Sequence, residues 1–165
     1  RKEEKLQDIP LAISAFSAER IEREDLRRID DLTKFTAGLT FDIGGFPNDT
    51  RPALRGMQAE RGRPSVAVLL DGQDLSGENI SIAGGSGALR MNLFDLERIE
   101  VVKGPQATLY GRNAFAGAIN YISRQPTMEW EGRVAAEYAT GNMGMISASA
   151  SGPIVADKLA IRVNG

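Results

Sequence analysis

The sequence predicts an α+β body followed by a run of antiparallel strands, and three observations carry that expectation. Charge and glycine are segregated: 17 of the 42 charged residues fall within the first 34 positions, and all 18 glycines lie at or after Gly38. Short apolar runs bounded by Gly, Pro, Asn and Asp recur through the middle of the chain, as expected of short strands joined by long loops. Beyond residue 127 the pattern becomes alternation with period two, which marks strands with two unlike faces. At 165 residues the chain is one domain by length, with room for an appendage.

The elements follow in order. "IPLAISAF" (residues 9–16) is a short apolar run opened by Pro10, which suits an edge strand. Ser17 is a good N-cap for a helix starting at Ala18, with Ile21 facing inward. The phase then slips, and Leu26, Ile29, Leu32 and Phe35 resume a stripe spaced by three. Two short helices or one kinked helix fit this pattern, with Gly38 as the C-terminal stop. Residues 42–51, "DIGGFPNDTR", read as a loop. A buried strand follows at Val66–Leu70, and its Asp71–Gly72 pair is a hairpin signal. Residues 76–92 form another long loop carrying "GGSG" at 84–87. Ile99 and Val101, with Val102 on the opposite face, form a strand, and a short strand spans residues 118–122. Pro126 separates this region from the alternating tail, which places the domain division at 1–126 and 127–165.

Composition excludes several functions. The net charge is −2, so nothing points to a nucleic-acid partner held through phosphate contacts. Cysteine and histidine are both absent, which removes disulfides, Cys/His zinc sites and His-based acid–base catalysis. No spacing supports a carboxylate metal site or a Ser–Lys pair, so no enzyme, metal or cofactor is expected. Arg1 to Asp8 lacks the apolar core of a signal peptide. The longest uncharged run, residues 138–156, is half Gly, Ser, Thr, Asn and Pro and would make a poor helix in lipid.

The stretch from Phe94 to Ser123 places glycines at 104, 111 and 117 around a short strand. A phosphate loop would need G-x-x-x-x-G-K-[ST] after a strand. Here Gly104 and Gly111 are seven apart and Arg112–Asn113 follows, so that spacing fails. Turns in an ordinary domain account for the glycines better, but not for so much loop in one small body.

In the tail, Trp130, Val134, Ala136 and Tyr138 share one face, and Glu131, Arg133 and Glu137 share the other. Eight residues at ~3.3 Å each, tilted by ~45°, separate the two aromatics by roughly 19 Å. Ile146, Ala148 and Ala150 alternate with Ser147, Ser149 and Ser151 as a second strand, and Leu159, Ile161 and Val163 against Arg162 begin a third. Both an amphipathic soluble sheet and the wall of an outer-membrane barrel between its aromatic girdles fit these residues.

Residues 96–126, "LERIEVVKGPQATLYGRNAFAGAINYISRQP", resemble the end of the plug domain of TonB-dependent outer-membrane receptors. The family's run of conserved types is matched at Arg98, Glu100, Val101, Gly104, Pro105, Leu109, Tyr110, Gly111, Gly117, Ile119 and Asn120. Further signposts fall in order: "IPLAISAFSAERIE" at 9–22, "DDLTKFTAGL" at 30–39, "LRGM" at 54–57 and "VAVLLDGQ" at 66–73. The resemblance departs in places. Glu24–Asp25–Leu26 stands where the family carries a Gly-containing break, which favours one kinked helix, and Ala37–Gly38 replaces a Pro-Gly turn. No TonB box is matched in residues 1–10, so it is expected upstream.

The resemblance implies an α+β plug with a small mixed sheet, short helices and long loops, followed by the first antiparallel strands of a truncated, roughly 22-stranded barrel. The implied function is gating of active import of a scarce small molecule, most commonly an iron–siderophore complex, across the outer membrane. The implied partners are TonB, the receptor's own β-barrel and the ligand; a soluble periplasmic α+β binding module without a barrel is the alternative. Ligand contact is expected at loop tips in residues 42–51, 57–63 and 76–92, through Phe46, Asn48, Gln58, Glu60 and Arg61. Arg55, Arg98 and Glu100 either hold the plug in the lumen by charge pairs or form salt bridges inside the plug. With unpaired strand edges, the tail is expected to be disordered, paired with another copy, or still part of a larger barrel.

Overall fold

A computed structural model describes residues 12–43, 50–58, 64–76, 93–105, 113–139 and 143–165. The chain divides into two compact units, Arg1–Ile122 and Ser123–Gly165.

The first unit is built on a five-stranded mixed sheet. Its strands are β1 (Ala12–Ser17), β4 (Val66–Leu70), β5 (Gln73–Asp74), β6 (Leu96–Lys103) and β7 (Gly117–Ser123), in the order β1-β6-β7-β4-β5. β1 is an edge strand, antiparallel to β6 from Ala12↔Lys103 to Ser17↔Arg98. β4 runs parallel to β7, and parallel pairs are stable when both faces are covered. Successive β4 side chains serve two cores: Val66 and Val68 enter the main cluster with Phe16, Leu32, Ile99 and Ile119, while Ala67 and Leu69 pack with Ala114 and Ala118. Burying each large aliphatic or aromatic side chain contributes about 1.5–3 kcal/mol, so this double-sided strand anchors the unit.

Two tight approaches require glycine. Asp71 (φ 50°) and Gly72 (φ 80°) form the two-residue turn of the β4–β5 hairpin, whose left-handed pair matches strand twist. At Gly117 (φ 154°) a Cβ would collide with the Val102 carbonyl and lie 2.6 Å from Leu54 Cδ1.

After β1, Ser17 caps helix α1 (Ala18–Arg23) by accepting a 3.3 Å bond from the Arg20 amide. The expectation of one kinked helix is corrected: α1 stops at Arg23, Asp25 takes φ 50°, and a separate 3₁₀ helix spans Ile29–Lys34. The physical reason is in the stripe. Spacing by three brings side chains onto one face at three residues per turn, not 3.6. Leu26, Ile29 and Leu32 are buried accordingly, whereas Phe35 stays partly exposed and meets Phe16 edge-on at 6.5 Å. Asp31 accepts bonds from the Arg27 and Arg28 amides at 3.2 and 3.1 Å and from Lys34 Nζ at 2.8 Å, which closes the start of the 3₁₀ helix.

The loop expected over 42–51 is shorter than the sequence suggested. β2 (Leu39–Ile43) and β3 (Thr50–Leu54) form an antiparallel pair of their own, with Phe41 opposite Pro52 and Asp42 opposite Arg51. Leu39, Ala53 and Leu54 are buried, which draws these residues into strands.

The second unit is a three-stranded antiparallel sheet: β8 (Glu131–Ala139), β9 (Met143–Val155) and β10 (Leu159–Asn164), with β9 in the middle. The three strands of the tail pair with one another in the order β10-β9-β8.

Candidate functional site

Three features of these units bear on function: the roots of the loops, a charged strand, and a sheet with two unlike faces.

Loop roots are tied down by side chains. Asn113 Nδ2 donates to Asp74 Oδ2 at 3.0 Å and to the Ser76 carbonyl at 2.9 Å, while Asp74 Oδ1 accepts from the Ser76 amide at 2.8 Å and from its hydroxyl. This clasp fixes Ser76, where the 76–92 segment begins, to the segment that leads into β7. Ser65 Oγ donates to the Met57 carbonyl at 2.8 Å and ties the end of the β3 turn to the start of β4. At the β2–β3 hairpin, Arg51 Nη1 lies 3.9 Å from Asp42 Oδ2 across the strands. Gln58 is exposed on the far side of the β3 turn. Phe46, Asn48, Glu60 and Arg61 lie outside the described residues.

Arg98 and Glu100 come together. They are two apart on β6, so they share a face, and Arg98 Nε donates to Glu100 Oε1 at 2.8 Å while its Nη1 meets Glu97. Partial burial disfavours the Arg98 cation, but the hydrogen bond and charge of Glu100, with Glu97, outweigh it and raise the guanidinium pKa. Arg55 sits on a different element. It occupies the turn after β3 at φ 54°, its side chain is exposed, and its amide donates to the Gly38 carbonyl at 2.8 Å.

A third charged group, which sequence reasoning passed over, is Arg20. Its guanidinium carbon stands 4.6 Å from the Phe16 ring centre and 5.5 Å from that of Phe35, and its Nη1 donates to the Ala15 carbonyl at 3.4 Å. One cation thus clips edge strand β1 to α1 and the 3₁₀ helix. The aromatic at 16, the arginine four residues on and the aromatic at 35 carry no local signal, because only tertiary packing unites them.

In the second unit, one face carries Glu131, Arg133, Ser147, Ser149, Ser151 and Arg162. Arg162 Nη1 reaches Glu131 Oε2 at 3.7 Å across Ser151, and all three serines are buried. The other face is apolar and open: Trp130 is 78% exposed, and Val134, Tyr138 and Ile146 are each 76% exposed. Open apolar patches of this kind mark contact with protein or lipid. Among the described residues no group of three His, Cys, Asp or Glu is placed to hold a metal ion.

Residues 5–118 match the model of the TonB-dependent Receptor Plug Domain. The chain belongs to this family. The mixed sheet described above is the plug fold. The chain is 30% identical to the iron-regulated outer membrane virulence protein of Vibrio cholerae, over 97% of this chain and 25% of that protein. It superposes on the ferric yersiniabactin uptake receptor FyuA of Yersinia pestis with a TM-score of 0.72, at 25% identity, covering 87% of this chain and 22% of that one. The siderophore receptor PiuA of Acinetobacter baumannii gives a TM-score of 0.70 at 27% identity, covering 96% of this chain and 21% of that one. The chain spans a quarter or less of the length of the curated relatives it matches, from 25% down to 14%.

Proposed function

We infer that this plug belongs to an outer-membrane receptor that binds a ferric siderophore and imports it into the periplasm with energy delivered by TonB. The observation that carries this reading is the conjunction of a plug fold with a following sheet that is polar on one face and openly apolar on the other. In a transmembrane barrel wall, lumen-facing polar residues alternate with lipid-facing apolar ones. The open apolar face also counts against a soluble binding module. The substrate class is inferred from relatives named as ferric yersiniabactin and siderophore receptors, alongside which a relative from Vibrio vulnificus, 30% identical, is named a vitamin B12 transporter.

Residues 1–126 act as the gate and residues 127–165 begin the barrel. The loops rooted at the Asn113 clasp, the β2–β3 hairpin and the Met57–Ser65 link present Phe46, Asn48, Gln58, Glu60 and Arg61 to the ligand. TonB pairs as an added strand with a segment upstream of β1. Traction there acts first on β1, a six-residue edge strand held by its pairing to β6, by Phe16 and by the Arg20 clip. Such an element has the low local stability that a gate needs. Arg55, Arg98 and Glu100 hold the plug against the barrel wall once Arg98 and Glu100 exchange part of their mutual pairing for partners there.

The test is ferric-siderophore binding and uptake by the full receptor with Phe46, Gln58 and Arg61 changed together to Ala. Weakened binding with normal surface levels supports these contacts, and unchanged affinity and uptake exclude them.

A further inference from the structure

The Asp71–Gly72 turn carries a chemistry that gating does not use. Gly72 has no side chain to shield its backbone nitrogen, so that nitrogen is the natural nucleophile toward the Asp71 carboxyl carbon. Attack forms a five-membered succinimide as the N–Cγ bond forms, the Gly72 nitrogen gives up its proton, and a carboxyl oxygen leaves as water. Hydrolysis by one water at either ring carbonyl then returns aspartate or yields isoaspartate, in which the backbone runs through the side-chain carbon. The net change is an isomerisation, and water is the only co-reactant.

Three constraints oppose ring closure. The Gly72 N–H donates to Asn120 Oδ1 at 3.1 Å, so the attacking nitrogen is engaged. The Asp71 N–H donates to the Tyr121 carbonyl at 2.8 Å, so both amides of the turn are fastened to β7. Both residues also sit in a tight two-residue turn, with left-handed φ values of 50° and 80°, and closure requires rotation about the Asp71 Cα–C bond, which the turn restrains. Asn120 is buried beside Leu69 in the parallel β4–β7 register, a position whose side chain reaches past the strand end to the turn.

We propose that Asp71–Gly72 is a latent isoaspartate-forming site, and that Asn120 suppresses the rearrangement by holding the Gly72 amide. Asn120 is a positioning residue here and undergoes no reaction itself. An isoaspartyl link would lengthen the turn backbone by one carbon, unseat β5 and loosen the Asp74–Ser76–Asn113 clasp that β5 carries.

The experiment is to incubate the full receptor in detergent at neutral pH and 37 °C and count isoaspartate at this peptide by mass spectrometry. Asn120→Ala is expected to raise the rate about five-fold, equivalent to about 1 kcal/mol for one hydrogen bond at 1.4 kcal/mol per factor of ten. Asn120→Asp keeps an acceptor oxygen in place and is expected to restore the slow rate. Asp71→Glu, which would need a six-membered ring, removes the signal. Independently of any variant, the native receptor is expected to react at least ten-fold more slowly than the same chain in urea. Equal rates in folded and unfolded chains, or a folded Asn120→Ala variant at the native rate, would overturn the proposal; so would Asn120→Asp matching Asn120→Ala.

Discussion

Trp130 sets the six-membered part of its indole over Gly152, where the backbone of β9 offers no side chain. A Cβ at position 152 would stand 2.6 Å from Trp130 Cδ2. Glycine thus creates the seat, and the large ring covers the gap that glycine leaves in the sheet. Trp130 nevertheless remains largely exposed, at one end of the apolar face with Tyr138 near the other. Amphipathic rings in such positions belong at a membrane–water interface. Trp130 is the sole tryptophan of this chain. In the full receptor, with other tryptophans replaced, its fluorescence is expected to be quenched most by lipids brominated near the headgroup. Gly152→Val should displace the ring and shift the emission; unchanged emission would separate the two residues.

Gly117→Ala is expected to cost about 3 kcal/mol, combining overpacking against Val102 and Leu54 with a strained positive φ. Urea denaturation followed by circular dichroism measures it. A loss under 1 kcal/mol would mean that β6 and β7 part without cost.

The pair on β6 predicts a contrast. Arg98→Ala removes a partly exposed ion pair, and such pairs contribute only about 0–1 kcal/mol. In the full receptor a larger effect on plug retention is expected, read as ion conductance through the barrel. Equal, small effects in stability and conductance would confine Arg98 to a role within the plug.

Asp31 predicts a pH dependence. Desolvation pushes its pKa up, but hydrogen bonds from Lys34 and the Arg28 and Arg27 amides, with the Lys34 charge, outweigh it and leave the value below 3.8. The folded value lies below the unfolded one, so the stabilisation is fully present above about pH 3.8 and is lost as pH falls through the lowered value. Asp31→Asn should therefore melt earlier than the native chain at neutral pH, and the gap should close in acid. A gap that persists at the lowest pH would assign the effect to packing.

Much of the fold was legible because local signals agreed with tertiary need. Ser17 announced a cap, Asp71–Gly72 announced a hairpin, and the alternating tail announced three strands with two faces. The 3₁₀ helix was visible in the spacing of Leu26, Ile29 and Leu32, but a stripe spaced by three was read on the more familiar 3.6 period. β2 and β3 were hidden because the turn formers of residues 42–51 read as a loop, and Pro52 also speaks against a strand at β3. It is tolerated in a pair with one neighbour. The Asn113 clasp and the Arg20 clip escaped because each joins residues distant in sequence, and packing alone brings them together. The Arg98–Glu100 contact was half legible: spacing by two put the pair on one face without saying which partners each would choose.

If traction on β1 opens the gate, a bond between β1 and β6 should lock it. These 165 residues have no cysteine, so in a receptor with any other cysteines replaced a pair introduced at Ile13 and Val102, which face each other in register, is free of competitors. Oxidised receptor is expected to bind ferric siderophore normally and transport little, with transport restored by reductant. Full transport through the oxidised tether would place the opening elsewhere.

The most direct measurement is uptake of radioactive iron, presented as ferric siderophores, by iron-starved cells of three kinds: with the full receptor, without it, and with it but lacking TonB. Accumulation is expected only in the first, while cells of the third kind still bind the ligand at their surface. Equal accumulation in cells with and without the receptor, or undiminished accumulation without TonB, would contradict a TonB-driven gate for ferric siderophores.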